Sequence, residues 1–218
     1  QIAKTKGINL PPLVAIAGPV KASECASAKP TATVFACRDY ELAKRYAKTV
    51  TTPNYSVTPS QDEIGVEVCA ALKNIYAIAL GIADGMSTAD EQPRDNLRAA
   101  IFVQAVTEMA SLCHAMGGDL QTAYGLAGMG DLQLTSTAGR SRLYGHAVGA
   151  GQNPRQALEQ MQSQGLTIEG SPAALIAHQL VQQLGLNAPL LEAVYQMLHG
   201  HVDDARALIC AVALGVDA

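Results

Sequence analysis

Tryptophan is missing from this chain, phenylalanine occurs twice, and aromatic residues make up only 4% of its 218 positions. Packing must therefore rest on small aliphatic side chains, and close helix–helix contact is the natural way to use them. Charge is also scarce at 16%, with 19 acidic against 15 basic residues and a formal net charge of −4. A nucleic-acid or anionic-membrane surface needs a concentrated positive field, which this balance does not supply. No C-x-x-C pair occurs among the five cysteines, Cys25, Cys37, Cys69, Cys113 and Cys210, which sit in apolar stretches. Reduced thiols of a cytoplasmic protein are expected, rather than a disulfide framework or a zinc site. No apolar run reaches the length of a membrane span, because Ile75 to Ala83 leads straight into Asp84 and Gly85. The lysines between Gln1 and Gly7 have no apolar segment behind them, so no signal peptide is expected there. His114, His146 and His178 lack a second ligand at i+4, and His199-Gly200-His201 falls at a helix end, where the dipole favours histidine. No metal is expected. What is present is a chain 49% hydrophobic, able to bury roughly 70% of the surface its unfolded form exposes.

Residues 1–59 differ from the rest. Leu13 to Ala17 and Thr31 to Cys37 are short apolar runs punctuated by Gly18-Pro19 and Pro30, the pattern of buried strands. Tyr40 to Lys48 has helical spacing, and Ser56-Val57-Thr58 before Pro59 suits one more strand. Alternating strands and helices predict an α/β unit with a parallel component. From Ser60 onward nearly everything has helical spacing. Ser60 followed by Glu63 is a capping-box pattern, opening a long helix expected to run to about Asp84. Further helices are predicted over Asn96–Met116, Gln156–Gln162, Ala173–Leu184, Leu190–Leu198 and Asp204–Leu214, with Asn153 and Ser171 as N-caps before Pro154 and Pro172. Pro93 likewise suits a helix first turn. The Gly-rich segment from Gly125 to Gly151 is not expected to be purely helical. The architecture predicted is mainly α: a partial α/β segment over 1–59, then an all-helical domain over 60–218.

The first long helix is apolar nearly all round, yet Lys73 and Asn74 stand in its middle. A lysine in low dielectric must find a partner, reach water or give up its proton more readily. Proton transfer and simple snorkelling to the surface account for it about equally well. The segment from Gly128 to Arg142 shifts the balance. It gathers Asp131, Thr135, Ser141, Arg140 and Arg142 among flexible glycines, so a carboxylate could hold the Lys73 ammonium while a guanidinium fork grips a phosphate.

Together these residues resemble the NAD(P)-dependent glycerol-3-phosphate dehydrogenases. The resemblance is carried by Gly65-Val66-Glu67, Ala71-Leu72-Lys73-Asn74, Gly81-Ile82-Ala83-Asp84-Gly85, Leu126 to Leu132 with Thr135, and Ile168-Glu169-Gly170. Near the start, Thr5-Lys6-Gly7 and Gly18-Pro19 with Glu24 fall in the family's order. The resemblance implies interconversion of dihydroxyacetone phosphate and sn-glycerol 3-phosphate with NAD or NADP, by a homodimer. It implies the tail of a Rossmann domain in residues 1–59 and the substrate domain in 60–218. Lys73 matches the catalytic lysine, with Asp131 beside it, and Lys6 matches a second active-site lysine. Asn74, Thr135 and Ser141 match polar substrate-side positions. Arg140 matches the phosphate-binding arginine, which also touches the cofactor; a gapped alignment would give that role to Arg142. Glu169 matches a position near the cofactor.

Three features depart from the family pattern. The turn G-x-G-x-x-G is absent, so these residues alone are expected to hold a dinucleotide poorly. Val20-Lys21-Ala22 stands where bacterial relatives usually carry Ser-Phe-Ala, and Ser141 where many carry Asn. Two rivals stay open: a β-hydroxyacid or ketopantoate-type dehydrogenase, and a non-catalytic helical dimerisation module. The Asp131 to Arg140 segment speaks against the former, and a buried Lys73 without purpose speaks against the latter.

Overall fold

The structure is a computed structural model that describes residues 5–7, 12–200, 202 and 204–216. His201 lies outside the described residues. Strand β1 (Ala15–Ala17) runs antiparallel to β2 (Thr31–Ala36), which runs parallel to β3 (Tyr55–Ser60). Helix α2 (Tyr40–Val50) makes the crossover between the parallel pair, as a parallel connection requires. A short helix, α1 (Ala22–Ala26), joins β1 to β2 where no helix is expected from the pattern. Ala17 and Ala36 pack one sheet face onto Val66 and Ala127 of the helical part.

The rest is helical: α3 (Glu63–Ala89), α4 (Asp95–Ala115), α5 (Leu120–Tyr124), a π turn (Leu126–Gly130), α6 (Asp131–Ala138), α7 (Arg140–Gly149), α8 (Pro154–Ser163), α9 (Gly170–Leu184), α10 (Pro189–Leu198) and α11 (Ala205–Leu214). The chain is therefore mainly α. Several ends differ from expectation. Asp62, not Ser60, caps α3 by accepting from Gly65 N–H at 2.8 Å, while Ser60 finishes β3 and its Oγ accepts from Asp62 N–H. Asp62 wins because it also takes Asp119 N–H and the Thr122 hydroxyl, fastening α5 to the start of α3. Ser171 and Pro172 lie inside the first turn of α9, so Ser171 is not its cap. Pro93 precedes α4, whose first residue is Asp95. Asn153 does cap α8, and Asp204, expected inside the last helix, caps α11 instead.

Helix α3 is the core. By length and composition it is apolar enough to cross a membrane, contrary to the reading of a run broken at Asp84, but 67% of that window is buried inside the fold. Ile75, Tyr76, Ile78, Leu80 and Ile82 are fully enclosed, packed by Ile101, Met109 and Leu112 of α4 and Leu190 and Leu191 of α10. The Gly-rich segment from Gly125 to Gly151 is, as expected, not purely helical: Gly125 precedes the π turn that leads into α6, Gly139 separates α6 from α7, and α7 ends before Ala150-Gly151. Its glycines serve contact, not looseness: Gly145 and Gly149 of α7 face Ile78 and Ile82, while Gly81 and Gly85 of α3 face Arg142 and His146. A Cβ at any of the four would land on a facing backbone carbonyl. At the same crossing Asp84 accepts from Arg98 Nε at 3.0 Å and Arg142 Nε at 2.8 Å.

Glu108 is 2% exposed and has no cation partner among the described residues. Its carboxylate accepts from Leu190 N–H (2.7 Å), Gln104 Nε2 (2.9 Å), Leu191 N–H (3.0 Å) and the Tyr76 hydroxyl (3.3 Å), so it caps α10 from a neighbouring helix. Burial raises its pKa above the ordinary 4.5, with these hydrogen bonds opposing. Glu108→Ala would strand two buried N–H groups and is expected to cost about 2–4 kcal/mol in chemical denaturation. A pKa higher in the fold than in the unfolded chain means that ionisation weakens the fold. Relative to Glu108→Gln, wild-type stability should be greatest below the unfolded value, fall as pH rises through the folded value, and then level off. A difference that climbs with pH across that interval contradicts the assignment.

Candidate active site

The π turn sets the site. Its tight packing, with Gly128 pressed onto the Ala123 backbone, ends at Asp131 and turns that carboxylate inward at the start of α6. Asp131 is 3% exposed. Its Oδ2 lies 2.6 Å from Lys73 Nζ and also accepts from Gly18 N–H at 3.2 Å, while Oδ1 takes the Thr135 hydroxyl at 3.4 Å. The Lys73 side chain is 22% exposed. It is thus neither sealed in the core nor free in solvent, and its ammonium is held where a small molecule can reach it.

Outward from this pair opens a cleft of about 180 Å³ lined by Lys73, Asn74, Thr135, Gly139, Arg140, Ser141, Thr167 and Glu169. Helix α7 begins at its wall after Gly139, and α9 after Glu169, and neither of these two residues caps its helix with its own side chain. Two helix N-termini, an ammonium and a guanidinium therefore converge on one small space, a combination suited to an anion. Arg140 Nη2 donates to Glu169 Oε1 at 2.5 Å, and Asn74 Nδ2 to Glu169 Oε2 at 3.2 Å. Ser141 lines the cleft but is 2% exposed, and its Oγ accepts from Gly170 N–H at 3.3 Å. Its hydroxyl thus positions the two helix starts.

The structure brings Lys73, Asn74, Asp131, Thr135, Arg140, Ser141 and Glu169 together. Two residues singled out from the sequence stand apart. Arg142 is bound to Asp84 at 2.8 Å on the α3–α7 crossing and does not line the cleft. Lys6 occupies an exposed turn, and among the described residues it makes no contact with the cleft. Three participants were not anticipated: Gly18, whose N–H reaches Asp131; Thr167; and Gly139, where a Cβ would press on the Thr135 carbonyl oxygen at 2.5 Å. The Gly-Pro pair that ends a strand was the one available signal for Gly18. Among the described residues no cluster of three or more His, Cys, Asp or Glu is arranged for a metal.

The profile of a family described as NAD-dependent glycerol-3-phosphate dehydrogenase C-terminus matches residues 62–208, two thirds of the chain and all of the cleft. The chain belongs to that family. Glycerol-3-phosphate dehydrogenase [NAD(P)+] of Symbiobacterium thermophilum is 41% identical over 189 residues, covering 86% of this chain and 53% of that protein. The NADP(+)-dependent glycerol-3-phosphate dehydrogenase of Archaeoglobus fulgidus is 34% identical, covering 85% and 56%. The crystal structure of glycerol-3-phosphate dehydrogenase from Coxiella burnetii superposes with a TM-score of 0.84 at 34% identity, over 97% of this chain and 62% of that one. The chain spans about half the length of the curated relatives it matches. Membership favours the glycerol-3-phosphate dehydrogenase family over the β-hydroxyacid dehydrogenase and dimerisation-module rivals.

Proposed function

We propose that this chain supplies the substrate side of an oxidoreductase that interconverts dihydroxyacetone phosphate and sn-glycerol 3-phosphate. The observation that carries the reading is the Lys73–Asp131 pair, 2.6 Å apart, at the inner end of a cleft whose mouth holds Arg140. A hydride to or from C2 is what NAD or NADP would contribute when bound. The chain has no Gly-rich dinucleotide turn, and a cleft of about 180 Å³ has room for the small substrate only. Its residues therefore fit the substrate, and for the cofactor the family resemblance offers Arg140 and Glu169.

Lys73 as ammonium would hydrogen-bond the C2 oxygen and donate its proton as charge develops there; in the other direction the amine would accept the hydroxyl proton. Asp131 would fix the Nζ position, itself held by Gly18 N–H and Thr135. Arg140 and the N-termini of α7 and α9 would grip the phosphate, turning remote binding into alignment of the reacting carbon. Asn74 and Thr135 would contact the substrate hydroxyls. We assign residues 1–59 to the dinucleotide-binding domain and 60–218 to the substrate domain, the whole acting as a cytoplasmic homodimer. The reducing cytoplasm suits five cysteines without paired spacing.

The experiment is oxidation of NADH or NADPH by the intact protein with dihydroxyacetone phosphate; no turnover with either cofactor defeats the reading. The two arginines separate cleanly. Arg140→Ala should raise KM for the phosphorylated substrate at least tenfold with little change in stability, because its side chain is half exposed. Arg142→Ala should instead cost about 1–3 kcal/mol of stability by releasing one side of the Asp84 cluster, with KM nearly unchanged. The reverse result restores the gapped alignment.

A further inference from the structure

Arg140 is the cation at the cleft mouth, yet it already holds an anion. Its Nη2 donates to Glu169 Oε1 at 2.5 Å, and the second oxygen of the same carboxylate takes Asn74 Nδ2 at 3.2 Å. Glu169 directly precedes α9, so one carboxylate ties α3, α7 and α9 together across the opening. The two donors it occupies are the ones an oxyanion entering the cleft would use. Two anions crowded onto one guanidinium donor repel each other, and the weaker partner must leave.

We propose that Glu169 is a specificity gate, a resident carboxylate that an incoming ligand must displace from Arg140 and Asn74. This rests on the phosphate reading given above. A phosphate monoester near charge −2 recovers more from Arg140 and the two helix ends than the displaced ion pair loses. A singly charged carboxylate offers Arg140 the same group that Glu169 already provides, at far higher effective concentration, and gains nothing. The gate therefore favours phosphate monoesters over carboxylates. Displacement needs only a side-chain rotation into solvent, since the Arg140 and Glu169 side chains are 49% and 54% exposed. An exposed pair is weak, so the bias it sets should be modest, about two- to tenfold in affinity.

The test is a nuclear magnetic resonance titration of the intact protein, free of cofactor, with inorganic phosphate and separately with acetate. Wild type, Glu169→Gln and Arg140→Gln are compared, with circular dichroism to confirm the fold. Glutamine keeps the length of Glu169 and its acceptor for Asn74 but carries no charge. Glu169→Gln should bind phosphate about two- to tenfold more tightly than wild type and gain acetate binding that wild type lacks; Arg140→Gln should bind neither. If Arg140→Gln abolishes phosphate binding while Glu169→Gln equals or falls below wild type, the gate is overturned and the phosphate site stands. If no form binds phosphate, or Arg140→Gln binds it as well as wild type, both are overturned.

Discussion

Lys73→Ala should lower turnover of the intact protein by about a thousandfold or more, with substrate affinity changed far less. The magnitude follows from losing the two roles proposed for Lys73 at once. Acid–base assistance contributes about 10²–10⁴, and one donor to a developing oxyanion about 10²–10³; the two overlap in a single group, so they do not simply multiply. The same substitution leaves Asp131, 3% exposed, with only Gly18 N–H and the Thr135 hydroxyl among the described residues. An uncompensated carboxylate there should cost about 1–3 kcal/mol, less than a fully buried pair because Lys73 is itself partly solvated. The double variant Lys73→Ala, Asp131→Asn separates the effects. It should regain most of the lost stability while turnover stays low, as read by thermal melting beside steady-state kinetics. Turnover near wild type in Lys73→Ala refutes the assignment.

Much of this arrangement was visible in residues alone. Lys73 stood out as an ammonium in the middle of an apolar helix, where snorkelling explained it as well as proton transfer did, and the Gly-Asp-Leu run offered a carboxylate that could hold it. The parallel pair β2 and β3 followed from apolar runs flanking an amphipathic helix. What stayed hidden was tertiary in origin. Asp62 rather than Ser60 became the cap of α3 because Asp119 and Thr122, distant in sequence, supply it with extra donors. Arg140 and Arg142 are equivalent by composition, and only the α7 rotation sends one to the cleft and the other to Asp84. The segment from Gly125 to Gly151 is interrupted as expected, by a π turn and at Gly139, but how much of it is helical was hidden, because intrinsic propensity penalises glycine whereas a helix squeezed against another needs it. Propensity sees one chain segment; the contact that overrides it belongs to two.

Gly145→Ala should be among the most destabilising single changes in the chain, and its effect should reach the cleft. The added methyl would collide with the Ile78 carbonyl and the Gly81 Cα across the α3–α7 crossing, where backbone and not a flexible side chain is in the way. Overpacking that side chains can absorb costs about 1–3 kcal/mol; with backbone on both sides the cost should exceed about 3 kcal/mol. For a chain of this size that is roughly a 6–12 °C fall in Tm. Gly151→Ala is the control. It adds the same methyl at φ +99° with open space around it, so it should cost only the conformational penalty, about 1–2 kcal/mol. Equal losses at the two positions would mean that conformation, not contact, governs Gly145. The functional consequence follows from rigidity. Arg140 and Lys73 ride on the two helices that cross here, so forcing α7 away from α3 widens the cleft between the proposed phosphate grip and the proposed proton donor. Gly145→Ala should therefore raise KM and lower kcat together in the intact protein at temperatures where it is still folded, whereas Gly151→Ala should change neither.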